Sequence, residues 1–171
     1  MKRNAQWFLL FTVAAVILAL PAWAQGGDET HVSNSSQLKF GPVPNSPACV
    51  TAAPAHGDPS KGASTLLLKF TSGCRVPMHW HTPTEEVMMV SGSAKLQMQD
   101  GSTSTLERGG FVHIPPKHPH QFTCVTACTA FLVSDGVFDV HYIDKSGKEI
   151  PAEQALGAKA PAKASAKGKG M

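Results

Sequence analysis

His79 and His81 stand two apart, Glu85 follows after four residues, and His120 comes later in the chain, giving three imidazoles and one carboxylate that β-strands can bring to a point. On a strand, residues i and i+2 face the same side, so His79 and His81 form a two-toothed clamp on one ribbon. Pro83 bends the chain before the next run, where Glu85, Val87 and Met89 share one face and Glu86 and Met88 take the other. Glu85 is therefore the better ligand and Glu86 the spare. Neutral imidazole suits Zn, Cu, Fe and Ni, and the carboxylate extends the range to Mn. The set predicts one divalent transition metal per chain, with Cu, Fe or Mn favoured and Zn or Ni as alternatives. Four protein ligands leave positions on a six-coordinate ion for water, dioxygen or substrate.

The spacing around these residues is G-x5-H-x-H-x3-E-x6-G from Gly73 to Gly92, followed by G-x5-P-x4-H at Gly109, Pro115 and His120. These two blocks resemble the two motifs of the cupin superfamily. The first fits at every defined position. The second departs twice, with Lys117 where the family has glycine and Cys124 where it has asparagine. The resemblance covers Gly73 to Cys124 and implies His79, His81, Glu85 and His120 as metal ligands. It also implies a type-2-like conserved barrel of the jelly-roll kind, small-molecule substrates, and a homodimer paired through a sheet as an admissible assembly.

The elements that must position the ligands can be read from short apolar runs at Thr65–Phe70, Glu86–Val90, Ala94–Gln99, Phe111–Ile114, His120–Val125, Ala130–Ser134 and Phe138–Ile143. Turn signals such as Ser91-Gly92, Asp100-Gly101 and Asp135-Gly136 separate them. Regularly spaced strands without a long helix predict an all-β chain: a single jelly-roll barrel over residues 65–156. Only Ala152 to Leu156 suggests a helical turn. Residues 25–64, rich in Pro, Ser, Asn and Gly, read as an extended N-terminal arm lying against that barrel.

The first 24 residues have the layout of a secretory signal peptide: basic Met1-Lys2-Arg3, an apolar run from Trp7 to Leu20, and Ala22-Trp23-Ala24 at the cleavage site. The apolar run is shorter than the roughly 20 residues that span a bilayer, so no stable membrane anchor is expected after cleavage. The location implied is secreted or periplasmic. At the other end, residues 157–171 are Ala, Gly, Pro, Ser and Lys and read as a disordered tail. Six of the 15 basic residues lie in these two ends, leaving nine against 12 acidic ones. The net charge of +3 thus belongs to the termini, and the mildly acidic centre gives no footprint for nucleic acid.

Export lets disulfides persist, and four cysteines allow three pairings. Cys124 and Cys128 bracket a short stretch that reads as a tight hairpin loop, so the favoured pairing is Cys124 with Cys128 and Cys49 with Cys74. A competing reading places Cys124 in the pocket as a thiolate, because His120, Phe122 and Cys124 alternate onto one face.

Around the ligands, Met89 and Phe122 are the expected pocket walls. Glu85 doubles as a candidate catalytic base, and His118, two residues before His120, is a candidate acid or base at the mouth; its plainer reading is a loop histidine in water. Trp80, between the clamp histidines, must face away from the metal, while His113 and His141 read as structural hydrogen-bonding residues. The site points to an exported metal-dependent oxidoreductase of the dioxygenase or oxidase type, acting on a small phenolic or carbohydrate-like substrate. The alternatives are an isomerase or lyase that uses the metal as a Lewis acid, and a non-enzymatic envelope protein that binds metal or ligand.

Overall fold

The computed structural model describes residues 30–157, so the leader and nearly all of the expected tail lie outside the described residues. No helix among the described residues is long and apolar enough to cross a membrane. Twelve strands, β1 (Gly41–Pro42), β2 (Val50–Gly57), β3 (Ser64–Phe70), β4 (Arg75–Trp80), β5 (Glu85–Ser91), β6 (Ser93–Met98), β7 (Thr103–Glu107), β8 (Phe111–Ile114), β9 (His120–Cys124), β10 (Cys128–Ser134), β11 (His141–Ile143) and β12 (Glu149–Ile150), precede one helical turn, α1 (Ala152–Ala155). They form two six-stranded sheets, β1-β2-β3-β10-β5-β8 and β12-β11-β4-β9-β6-β7, with every pairing antiparallel. This is the expected all-β jelly roll.

The alternation anticipated for β5 is present: Glu85, Val87 and Met89 are buried, while Glu86 and Met88 are only half covered. The inward residues of both sheets meet in one core that includes Leu66, Leu68, Phe70, Leu96, Phe122 and Leu132. Two regions depart from the sequence reading. The proline-rich segment does lie extended, but part of it, Val50–Gly57, is a full strand paired with β3 rather than an arm laid on the surface. Conversely, Phe138–Val140 is irregular, and only His141–Ile143 of the expected Phe138–Ile143 strand pairs, with β4 and β12. Strand β7 was hidden because only Leu106 of its five residues is buried, so it lacks an apolar run.

Both expected disulfides form, Cys49–Cys74 and Cys124–Cys128, with Cα separations of 5.6 and 6.0 Å. The second does not close a hairpin. β9 pairs with β4 and β6 in one sheet, whereas β10 pairs with β3 and β5 in the other, so residues 125–127 cross between sheets. Cys124–Cys128 therefore straps one sheet to the other, and Cys49–Cys74 does the same, joining the approach to β2 with the approach to β4. Backbone bonds between Gly73 and Cys124 and between Cys124 and Cys74 gather the four cysteines at one end of the barrel. The Gly92 turn also lies there; a Cβ on Gly92 would stand 2.2 Å from the Ala127 carbonyl oxygen, so only glycine fits.

Candidate metal centre

Strands β4 and β9 run antiparallel with His79 opposite His120, at the end of the barrel away from the cysteines. His81 follows directly after β4, and Glu85 opens β5. The structure brings all four expected ligands together, each 5% exposed or less. The three imidazoles can place ligating nitrogens within 4.8 Å of one another. A carboxylate oxygen of Glu85 lies 3.1 Å from His120 Nε2 and 3.5 Å from His81 Nε2.

What fixes the rings is the backbone around them. His79 Nδ1 is 2.7 Å from the Pro77 carbonyl oxygen, His120 Nδ1 is 3.0 Å from that of His118, and His81 Nδ1 bonds that of Asp139. A carbonyl only accepts, so each Nδ1 must carry a proton, and it is Nε2 of each ring that has a lone pair to give a cation. Three Nε2 atoms and a carboxylate then converge. His81 Nε2 and Glu85 Oε2 are indeed buried without a hydrogen-bond partner, a costly state for polar atoms that a divalent cation satisfies. The donor set, the fixed tautomers and the two orphaned atoms all fit a transition metal.

The electrostatics say the same. Burial, reinforced by the neighbouring imidazoles, holds the His79 ring well below its ordinary pKa. Burial works to raise the Glu85 carboxyl, but His81 and His120 outweigh it and hold that group at about 2. At His120 burial is likewise overcome, here by the Glu85 carboxylate, and the ring's pKa is raised. At neutral pH Glu85 is thus an anion, and positive charge is favoured beside it.

The ligands face a cavity of about 50 Å³. Its other walls are apolar, among them Val50, Phe70, Phe122, Leu132 and Phe138, with Ser46 the one hydroxyl. Phe122 is thus a wall as expected. Met89 is not: it sits in the core beyond Val87, because strand advance carries the same face away from the mouth. His118 is exposed and its side chain lies outside this cavity; its contribution to the centre is the carbonyl that orients His120. Cys124 is buried in its disulfide and supplies no thiolate. Trp80 turns away from the centre, stacked at 3.9 Å on His141, whose ring nitrogens meet Asp139 and Glu149.

Two contributors escaped the sequence reading. Asp139 holds His81 through its carbonyl while its carboxylate accepts the Thr82 backbone N–H at 2.8 Å, and Phe138 stacks on the His81 ring at 4.7 Å. Both lie far from His81 in sequence, and no spacing signals them. Lys117, in place of the family's glycine, adopts φ 57 and donates its backbone N–H to the His81 carbonyl oxygen at 2.8 Å. The turn keeps the left-handed geometry that glycine would take, at a cost of about 1–2 kcal/mol for a side chain.

Residues 66–134 match the family model described as a cupin domain. Similar solved structures include the polyketide cyclase RemF from Streptomyces resistomycificus, 20% identical with TM-score 0.58, covering 75% of this chain and 99% of that one. An RmlC-like cupin protein from Ralstonia eutropha is also 20% identical with TM-score 0.58, covering 75% and 83%. A provisionally named acetylacetone dioxygenase from Methylibium petroleiphilum is 17% identical with TM-score 0.57, covering 76% and 96%. At these identities the likeness is one of fold. No curated protein matches the sequence.

Proposed function

From the premise that the chain belongs to the cupin superfamily, we propose that it is an exported metal-dependent oxidoreductase acting on a small phenolic substrate. The observation that carries this reading is the set of converging Nε2 and carboxylate atoms, two of them without a hydrogen-bond partner, opening into an apolar cavity. His79, His81, His120 and Glu85 would hold the ion. A redox-active ion bound there supplies dioxygen activation or polarisation of a substrate oxygen.

The chain's own residues account for the rest. The Nδ1–H bonds to the carbonyls of Pro77, Asp139 and His118 keep the three Nε2 atoms aimed at one point. The apolar walls exclude water from the centre. Glu85, ionised and buried, would hold the ion through Oε2, the atom that has no hydrogen-bond partner. Of the two substrate classes in the sequence reading, the phenolic one fits better, because a sugar would bury several hydroxyls against walls that offer little beyond Ser46 to bond them. The ligands' opening to a cavity also favours an enzyme over a metal enclosed for storage. Export rests on the leader-like first 24 residues.

The test is elemental analysis of mature protein from the periplasm, purified without chelators, followed by oxygen-electrode assays with substituted phenols. The expected result is about one equivalent of Cu, Fe or Mn per chain and phenol-dependent oxygen uptake. Zn with no uptake for any phenol would move the chain to Lewis-acid chemistry.

A further inference from the structure

Strands β10 and β11 are joined by residues 135–140, a stretch with no strand partner. Its Phe138 stacks on the His81 ring and stands between the metal cavity and an outer groove of about 510 Å³. Its Asp139 supplies the carbonyl that bonds His81 Nδ1. Of the three carbonyls that orient the ligand rings, those of Pro77 and His118 lie two residues from their histidines, and only this one is brought from a distant segment. Whatever holds that segment in place therefore bears on where His81 points.

The register of β11 on β4 explains how the carbonyl comes to be free. Tyr142 pairs with His79 and His141 with Trp80, and the same register would set Asp139 opposite Thr82, where the backbone ladder has already stopped. The Asp139 side chain takes over there: Oδ1 accepts the Thr82 N–H at 2.8 Å, which leaves the main-chain carbonyl to turn to His81. The other oxygen, Oδ2, lies 3.2 Å from His141 Nε2, and His141 Nδ1 lies 2.8 Å from a Glu149 carboxylate oxygen. An ionised carboxylate only accepts, so both ring nitrogens donate and the ring is an imidazolium. Burial works to lower the pKa of His141, but its bonds to Glu149 and Asp139 outweigh it and raise that pKa. The ring also lies flat on Trp80, with centroids 3.9 Å apart and an interplanar angle of 5°.

We propose that Asp139, His141 and Glu149 are positioning residues for the metal ligand His81. Glu149 holds the imidazolium, the imidazolium anchors the Asp139 carboxylate, the carboxylate pins the segment at Thr82, and the Asp139 carbonyl aims the ring. Without His141 the two carboxylates would have no cation between them, and Oδ2 would lose its donor. None of the three side chains lines the metal cavity, so they act on the ion through His81. This rests on the metal-binding part of the proposed function and is independent of its substrate.

The test is competitive titration of the mature protein with Co²⁺ against a chromophoric chelator, read together with the visible absorption of the bound ion and the thermal unfolding of the metal-free protein. Asp139→Ala is expected to weaken Co²⁺ binding about tenfold and to shift the absorption bands, because one ring is aimed differently. Asp139→Asn, whose amide oxygen can still accept the Thr82 N–H, should recover most of both. His141→Phe, which keeps an aromatic ring on Trp80, should weaken binding in the same direction and by less. Added to Asp139→Ala it should cost nothing further, since it acts through the side chain already removed. Wild-type affinity and spectrum in Asp139→Ala, or losses that add in the double variant, would overturn the positioning chain alone, even where the metal-free protein unfolds at a lower temperature, which is all that a merely structural role produces. Were Asp139→Ala not to fold, unchanged affinity and spectrum in His141→Phe would overturn it as well. Failure of the wild-type protein to bind Co²⁺ would overturn it together with the metal centre.

Discussion

The two ends of the barrel are closed by opposite means. At one end four cysteines form two covalent straps between the sheets, and three of the four are 3% exposed or less. At the other, four polar side chains are buried just as deeply, yet His81 Nε2 and Glu85 Oε2 lack any partner. The first end ties the fold down covalently; the second gathers atoms that a divalent cation would satisfy. Separating them lets a chain hold destabilising, function-ready groups on a scaffold secured elsewhere, since sites built for chemistry are where local stability is given up.

Removing a ligand should break the contrast most sharply. His79→Ala or His120→Ala should bring metal content from about one per chain to near zero, because neutral imidazoles are the principal donors, while both disulfides persist; Glu85→Gln should weaken binding without abolishing it. Elemental analysis with thiol titration under denaturing conditions reads both ends at once. Full occupancy in these variants would defeat the ligand assignment.

The complementary change is at the covalent end. Cys49→Ser with Cys74→Ser opens a loop of 25 residues and should cost about 3.5 kcal/mol on a chain-entropy account, against about 2 kcal/mol for Cys124→Ser with Cys128→Ser, whose separation is four. Denaturant midpoints would measure both. Metal affinity should stay at the wild-type value; a parallel loss would mean that the two ends are mechanically coupled.

Acid separates the ends next. In chelator-stripped protein Glu85 has a folded pKa of about 2 against an ordinary 4.5, so its contribution to stability is present above pH 4.5 and lost as pH falls toward 2. His79, depressed from 6.5, also makes acidification unfavourable, because the unfolded chain takes up the proton first; His120, raised, acts in the opposite sense and loses its contribution as pH rises through its folded value. Glu85→Gln should therefore flatten the stability profile between pH 4.5 and 2, whereas the cysteine variants should keep its slope. The smallest effect is expected for Lys117→Gly. Relief of the left-handed strain at φ 57 is partly offset by the greater freedom of glycine when unfolded, leaving a gain below about 1 kcal/mol in thermal or denaturant unfolding.

Much of the centre was legible because its logic is local. Period-two alternation put His79 and His81 on one face and singled out Glu85 over Glu86, and the structure buries the first three while leaving Glu86 half covered. The strand Phe111–Ile114 matched to the residue because its apolar run is bounded by a glycine pair and a proline pair. Reading failed where pattern and environment part. β2 carries prolines and small residues, yet it pairs along β3. Met89 shares the face of Glu85 but not its depth, so a correct face gave an incorrect wall.

The sequence by itself determined the candidate ligand types, their spacing and the β character, because each of these follows from alternation or turn chemistry over a few residues; the cysteine pairing it favoured is the one that forms, though across a crossover between sheets rather than a hairpin. Only the tertiary structure decided that the disulfides cross between sheets, that the carbonyls of Pro77, His118 and Asp139 fix the three imidazoles, and that Phe138 stands between cavity and groove. The physical reason is that a backbone carbonyl is present at every residue and carries no sequence mark. The bond from His81 to Asp139 spans 58 residues, and what selects that one carbonyl is how two sheets and an unpaired strap pack against each other.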